Sequence, residues 1–308
     1  MSTTNQLELI SRQRGCLLGL ACGDAVGTTV EFQPRGTFRP MTDMIGGGPF
    51  SLPAGAWTDD TSMALCLATS LVELGRFDAA DQMQRYCRWW QEGYLGSIGR
   101  CFDIGITTRD ALLRFQSTGD PFAGSTDPWS AGNGSLMRLA PVPMFFYPDA
   151  DAAIHWSGES SRTTHAAAEC IEACKLFAAM ICAALAGKTK EEVLFGRDAD
   201  DYQCQKVRAI ALGEYHEKSI EGISGSGYVV KSLEASVWCF LQTDSFRDAV
   251  LMAVNLGDDA DTTGAVCGQL AGAFYGEKGI PADWLTRLTM VDEIGTLADR
   301  LAAHHPTK

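Results

Sequence analysis

The sequence predicts an all-α protein, on three observations. Apolar residues return at helical spacing through most of the chain, and alternation of apolar and polar residues never lasts. Gly, Ala and Leu dominate those periodic segments. Two Asp-rich stretches, Trp57-Thr-Asp-Asp-Thr-Ser62 and Leu256-Gly-Asp-Asp-Ala-Asp-Thr-Thr-Gly264, each stand directly before an apolar run, and an acid there suits the positive end of a helix.

Taken in order, the first helix is expected over 7–26. Gly15, Gly19, Gly23 and Gly27 recur in it every fourth residue. Each costs about 1 kcal/mol against Ala, so a stripe on one face implies very close approach. Packing is favoured for Gly15 and Gly19, and Gly23 and Gly27 could also serve a ligand. Residues 33–57 form a long Pro- and Gly-rich loop, of the kind that often binds or covers a ligand. Helices follow at 60–74 and 78–94. A glycine-containing loop at 96–105 leads to a helix ending near 115. Residues 119–131 are a loop, and Gly132-Asn-Gly-Ser135 is a turn into a helix start at 136–140. Further helices are expected at 161–186, 199–221, 229–241, 246–254, 265–275, 281–286 and 292–304. The whole of 1–308 is expected to be one domain, with 1–8 and 303–308 as mobile tails, because the two Asp stretches can join only if the first and last thirds meet.

Composition excludes several classes. Hydrophobic residues make up 46% of 308, ample for a core, and 25 basic against 38 acidic residues leave a net charge of −13. That balance argues against nucleic acid and anionic membrane as partners. Eleven cysteines include no CxxC pair, so a zinc site is not expected, and Cys170 and Cys174 read as core. With no signal-like N-terminus and no long apolar run, a soluble cytoplasmic protein is expected.

The chemistry lies in the acids. One or two suffice to cap helices, yet Asp59, Asp60, Asp258, Asp259 and Asp261 stand in two tight groups. If the fold joins them, their repulsion calls for a hard cation with oxygen ligands. An EF-hand loop is excluded: Asp259, Asp261, Thr263 and Gly264 match its first, third, fifth and sixth positions, but the twelfth is Leu270 rather than Glu. Two unrelated helix caps are the alternative. The other candidates also have ordinary readings. Glu31 could be a surface acid, Asp103 a helix cap, Asn133 with Gly134 a turn, Ser135 a cap, and His165 and Tyr228 core residues.

The two Asp stretches occur in order with Gly19-Leu-Ala-Cys-Gly-Asp-Ala-Val-Gly27 and Glu31, Gly132-Asn-Gly-Ser-Leu-Met-Arg138, Thr164-His165, and Ser226-Gly-Tyr-Val229. Together they resemble the ADP-ribosylglycohydrolase family over most of the chain. The resemblance implies a compact orthogonal helical domain that hydrolyses the bond between ADP-ribose and a protein side chain, releasing ADP-ribose. It implies a metal centre on Thr58, Asp59, Asp60, Asp259, Asp261 and Thr262. With Glu31 the acids carry about −5, which two divalent ions (Mg2+ or Mn2+) nearly balance. Glu31 is the expected general acid/base or gate and Asp60 the residue that positions water, and these roles could be exchanged. Asp258 would orient a ligand. The diphosphate would lie on the turns at Asp103, Gly105, Gly132, Asn133, Gly134 and Ser135, with His165 near the ligand and adenine near Tyr228. Ser226-Gly-Tyr-Val229 looks more like arginine-processing members, so ADP-ribosyl-arginine on a protein is the expected substrate. The alternatives are an O-glycosidic hydrolase (of ADP-ribosyl-serine or O-acetyl-ADP-ribose) and an immunity protein that plugs a toxin. Oligomeric state is not legible.

Overall fold

The computed structural model describes residues 3–303. It is built of helices α1 (Thr3–Gly27), α2 (Asp59–Leu74), α3 (Ala79–Glu92), α4 (Ile106–Thr118), α5 (Pro141–Phe146), α6 (Ala150–Arg162) and α7 (Ala168–Leu185). The second half adds α8 (Lys190–Phe195), α9 (Gln205–Ala211), α10 (Val229–Leu241), α11 (Phe246–Val254), α12 (Ala260–Tyr275), α13 (Ala282–Arg287) and α14 (Val291–Ala303). Among the described residues the only β pairing is three isolated bridges, as the absence of alternation predicts. No described helix is long and apolar enough to cross a membrane. Residues 3–8 are the first turns of α1, and the remainder of the expected tails, at 1–2 and 304–308, lies outside the described residues.

Helices α1 and α12 form the central pair and run antiparallel in direct backbone contact. A Cβ on Gly15, Gly19, Gly23 or Gly27 would come within 2.0–2.4 Å of the carbonyl oxygens of Gly272, Gly268, Gly264 and Ala260 respectively. The glycines of α12 meet α1 in the same way, Gly268 facing the Gly19 carbonyl at 2.1 Å. Packing therefore accounts for all four glycines of the stripe. Around this pair stand α2, α7, α10, α11 and α14, and the surrounding core is continuous through Leu17, Leu18, Phe177, Phe240 and Phe246.

Local signals set the helix ends that matter here. Thr58, in extended conformation, precedes α2, whose first turn carries Asp59 and Asp60, and Gly75 ends it with a left-handed φ of 65°. Asp259 stands at the N-cap of α12, with Asp261 in its first turn. The segment 28–58 contains no helix, as expected.

Three expectations are corrected. The helix expected at 161–186 is broken: α6 ends at Arg162 and α7 begins at Ala168. The break is held from outside, because Arg138 donates to the hydroxyls of Thr163 (3.2 Å) and Thr164 (2.8 Å) and Ser125 accepts the Ala166 N–H at 3.0 Å. Residues 136–140 form turns rather than a helix start. Gln269, buried on α12, accepts the Ala140 N–H at 2.8 Å and donates to the Met137 carbonyl at 2.7 Å, taking groups that a helix would have paired internally. The stretch 199–221 is mostly irregular, with α9 its one α-helix.

Candidate active site

The N-termini of α2 and α12 converge on the C-terminal end of α1. The joint is Asp24, a fully buried acid whose role the sequence reading missed. Its Oδ1 accepts the N–H (2.9 Å) and hydroxyl (3.0 Å) of Thr58, and its Oδ2 accepts the N–H (3.0 Å) and hydroxyl (2.6 Å) of Thr61. One carboxylate thus satisfies two orphan donors at the start of α2 and fixes that start against α1. The signal was present, since an Asp directly follows Gly23 on a helix whose glycine face is buried.

From this joint the acids gather. The Thr58 hydroxyl also lies 3.3 Å from Asp60 Oδ2 and 3.2 Å from Asp261 Oδ2, and Thr262 Oγ1 stands 3.4 Å from the same Asp60 oxygen. One hydroxyl donates to one acceptor at a time, so these carboxylate oxygens outnumber their donors. Glu31, Asp103 and Asp261 each bring an oxygen into a group spanning no more than 4.8 Å. Asp103 therefore sits among acids, a poor neighbour for the diphosphate expected beside it.

No ion pair among the described residues involves these carboxylates, and three buried oxygens, Glu31 Oε2, Asp60 Oδ1 and Asp261 Oδ1, have no hydrogen-bond partner. The electrostatics follow. Burial, then the charges of Asp103 and Asp59, raises Glu31 to about 11. Burial raises Asp103 to about 7, its hydrogen bond with Glu31 opposing the rise. Burial raises Asp24 to about 6 against the pull of its four hydrogen bonds. Asp59, Asp60 and Asp261 are pushed well above the carboxylate range by burial first and neighbouring acids second. Asp259 also rises with burial, opposed by Asn133. Partnerless buried oxygens on hard, anionic donors fit divalent cations.

The group opens into a cavity of about 290 Å3 lined by Glu31, Asp59, Asp259, Asp261, Thr262 and Asp103, and on the far wall by Gly105, Gly132, Asn133, Gly134 and His165. Thr58 and Asp60 do not line it and are buried beside Asp261 and Thr262. Asn133 donates to Asp259 Oδ2 at 2.6 Å, while its N–H and that of Gly132 are taken by the carbonyls of Gly227 and Ser130. This turn thus orients Asp259 in addition to walling the cavity. His165 closes on the glycines: a Cβ at Gly134 would lie 2.7 Å from its Cε1. Its Nδ1 meets the Thr164 hydroxyl at 2.9 Å. Burial and the nearby Arg138 charge hold its pKa down to about 3, so the ring is neutral. Arg138, quoted in the sequence motif without a role, is the buried strut here, donating to the Gly134 carbonyl at 3.1 Å and to Thr164.

Three candidates stand elsewhere. Ser135 is buried and shares a hydrogen bond of 2.8 Å with the Ser161 hydroxyl, so it neither caps a helix nor lines the cavity. Asp258 is exposed, with its backbone paired to Phe32 and Gln33. Tyr228 lines a second cavity of about 680 Å3 that shares Thr107, Gly132 and Gly227 with the first, and its hydroxyl donates to Glu169 at 2.5 Å.

The ADP-ribosylglycohydrolase family model matches residues 5–308. The chain is 45% identical over 301 residues to a Pseudomonas putida protein named ADP-ribosylarginine hydrolase Tri1, covering 97% of this chain and 80% of that one. It is 33% identical over 286 residues to the ADP-ribosyl-[dinitrogen reductase] glycohydrolase of Rhodospirillum rubrum, covering 91% and 90%. A solved structure described as an ADP-ribosylglycohydrolase-related protein complex superposes with a TM-score of 0.84 at 44% identity, over 96% of this chain and 98% of that one.

Proposed function

The chain belongs to the ADP-ribosylglycohydrolase family, and from that we propose that it hydrolyses the N-glycosidic bond between ADP-ribose and an arginine side chain of a modified protein. The release of ADP-ribose reverses the modification. The proposal extends to a cytoplasmic setting, whose reducing conditions suit eleven free cysteines. Relatives that carry the name ADP-ribosylarginine hydrolase support the arginine acceptor. The observation that carries the chemistry is the buried group of carboxylates with partnerless oxygens at the edge of a cavity.

Asp59, Asp60, Asp259, Asp261 and the hydroxyls of Thr58 and Thr262 would hold the cations, Mg2+ or Mn2+, with Asp103 completing the shell. When bound, divalent ions there supply Lewis-acid polarisation and neutralise the gathered charge. The residues do the rest. The acids around the cavity hold the hydroxyls of the distal ribose. Their negative field favours the oxocarbenium-like charge that develops as the glycosidic bond breaks. Glu31, which lines the cavity with its Oε2 free of any partner, can donate a proton to the departing nitrogen and recover one from the attacking water. Asp103, hydrogen-bonded to Glu31, orients it. Neutral His165 and the Gly132–Gly134 turn wall the cavity toward the second one, which has room for the adenosine end beside Tyr228.

The test is ADP-ribose release from arginine-modified protein with Mg2+ and with EDTA, and serine-modified protein in parallel. Metal-dependent release from arginine alone supports the reading. Release from serine alone replaces the acceptor and keeps the mechanism. No release from either ends the proposal.

A further inference from the structure

The mouth of the acidic cavity is built at a cost in backbone strain. Among the described residues six non-glycine residues have a left-handed φ, and three of them, Phe32 (63°), Asp103 (59°) and Asp258 (57°), stand in the segments that frame this cavity. For a side chain as bulky as Phe that conformation costs about 1–2 kcal/mol. Two hydrogen bonds pin it, from the Phe32 N–H to the Asp258 carbonyl at 2.7 Å and from the Asp258 N–H to the Gln33 carbonyl at 2.8 Å. The result is a reversal between neighbours: Glu31 is 3% exposed and faces the acids, while Phe32 is 63% exposed. The same happens at the next segment. Asp103 joins the acids, and Ile106, first residue of α4, is 70% exposed. Phe32 and Ile106 both line the cavity. Phe50 stands edge-on to Phe32 at 6.4 Å and packs on Phe102 at 5.0 Å. The acidic pit thus has an apolar edge at Phe32 and Ile106, with Phe50 and Phe102 packed behind Phe32. Strain held at one place suggests use, and clustered exposed apolar residues mark contact with another molecule.

The occupant follows from the cut bond, and here the argument rests on the proposed arginine chemistry. If that bond lies among the carboxylates, the polypeptide attached to it must leave the pit across Phe32 and Ile106. A free ADP-ribosyl-arginine ends at its own α-carbon and offers these side chains no flanking residues. We propose that Phe32 and Ile106 dock the polypeptide flanking the modified arginine and so favour protein-bound over free ADP-ribosyl-arginine. The partner is a protein surface with apolar side chains next to the modified residue.

The experiment is steady-state kinetics of wild type and the double variant Phe32→Asn/Ile106→Ser on an arginine-modified protein and on free ADP-ribosyl-arginine. Asn is chosen because it accepts a left-handed φ. Loss of an interface anchor of this size should raise KM for the modified protein about tenfold, with kcat kept within about twofold. Both constants for the free compound should stay within about twofold. Ile106→Ser alone, at an unstrained exposed position, should show the same split at smaller size and guards against misfolding of the double variant. Equal losses on both substrates, or no loss on the protein, overturn the docking role while leaving the hydrolase reading intact. If wild type cleaves neither substrate, the reading beneath fails and the docking role with it.

Discussion

Gly23 and Gly264 touch through their backbones: a Cβ on Gly23 would lie 2.0 Å from the Gly264 carbonyl oxygen. Neither helix can turn aside, because the same contact recurs at Gly19 with Gly268 and at Gly15 with Gly272. Gly23→Ala should therefore cost about 3 kcal/mol or more, beyond the usual range for overpacking. Its thermal midpoint should fall by about 5 °C or more. Gly36→Ala is the contrast, since a Cβ there meets nothing within 4 Å and the cost is confined to a positive φ. Equal midpoints for the two variants would refute a close-packed seam.

Asp24→Asn tests the joint between α1 and α2. Each of its oxygens now accepts an N–H and a hydroxyl, so an amide NH2 in place of one oxygen sets donor against donor. The expected loss is about 2–3 kcal/mol, with cation affinity reduced about 10–100-fold, as for a residue that supports ligands from behind. Calorimetric unfolding and a Mn2+ titration read the two effects. Unchanged Mn2+ affinity would leave Asp24 a purely structural residue.

The acids also set a pH dependence for the metal-free protein. Their folded pKa values lie above the unfolded ones, to about 7 for Asp103 and about 11 for Glu31. Between the two values the folded chain holds protons that the unfolded chain has shed, so stability falls as pH rises. His165, depressed in the fold, opposes this fall until its unfolded imidazole is neutral, about one unit above the ordinary value of about 6.5, and the several raised acids outweigh it. In EDTA the melting temperature should therefore fall between about pH 6.5 and 8.5, and saturating Mg2+ or Mn2+ should abolish that fall. A flat profile in EDTA would show that the acids are not crowded as described.

The gathering of the acids was more legible in the sequence than the geometry around it. Asp59, Asp259 and Asp261 were legible because too many acids crowd two helix starts for capping alone. The seam was half legible: glycine every fourth residue announces contact, but not that the partner is another glycine stripe more than two hundred residues away. The break at 163–167 was illegible locally. Its alanines suit a helix, and what holds it open comes from other segments: Arg138 on the threonine hydroxyls and Ser125 on the Ala166 N–H. Asp103 left two readings open, since a lone acid before a helix looks like a cap until Glu31 and Asp261 come within reach.

Asp259→Ala should abolish turnover with little change in fold. Asp259 projects from the N-cap of α12 into the cavity without capping that helix through its side chain. Mn2+ affinity should drop by more than the ~10–100-fold typical of a supporting residue. Circular dichroism checks the fold and ADP-ribose release the activity. Wild-type turnover in this variant would remove Asp259 from the centre.

The pairing of α1 with α12 also bears on how the protein is made. Thr58 and Asp261 are separated by 203 residues, and the glycine face of α1 leaves the ribosome long before its partner is synthesised. At ~5–20 residues per second that gap lasts ~10–40 s. Throughout it the nascent chain carries an uncovered seam and half a set of acids. A message cut short before the codon for Ala260 yields a product with neither its central helix pair nor its full group of acids. Neither can form until α12 has been made.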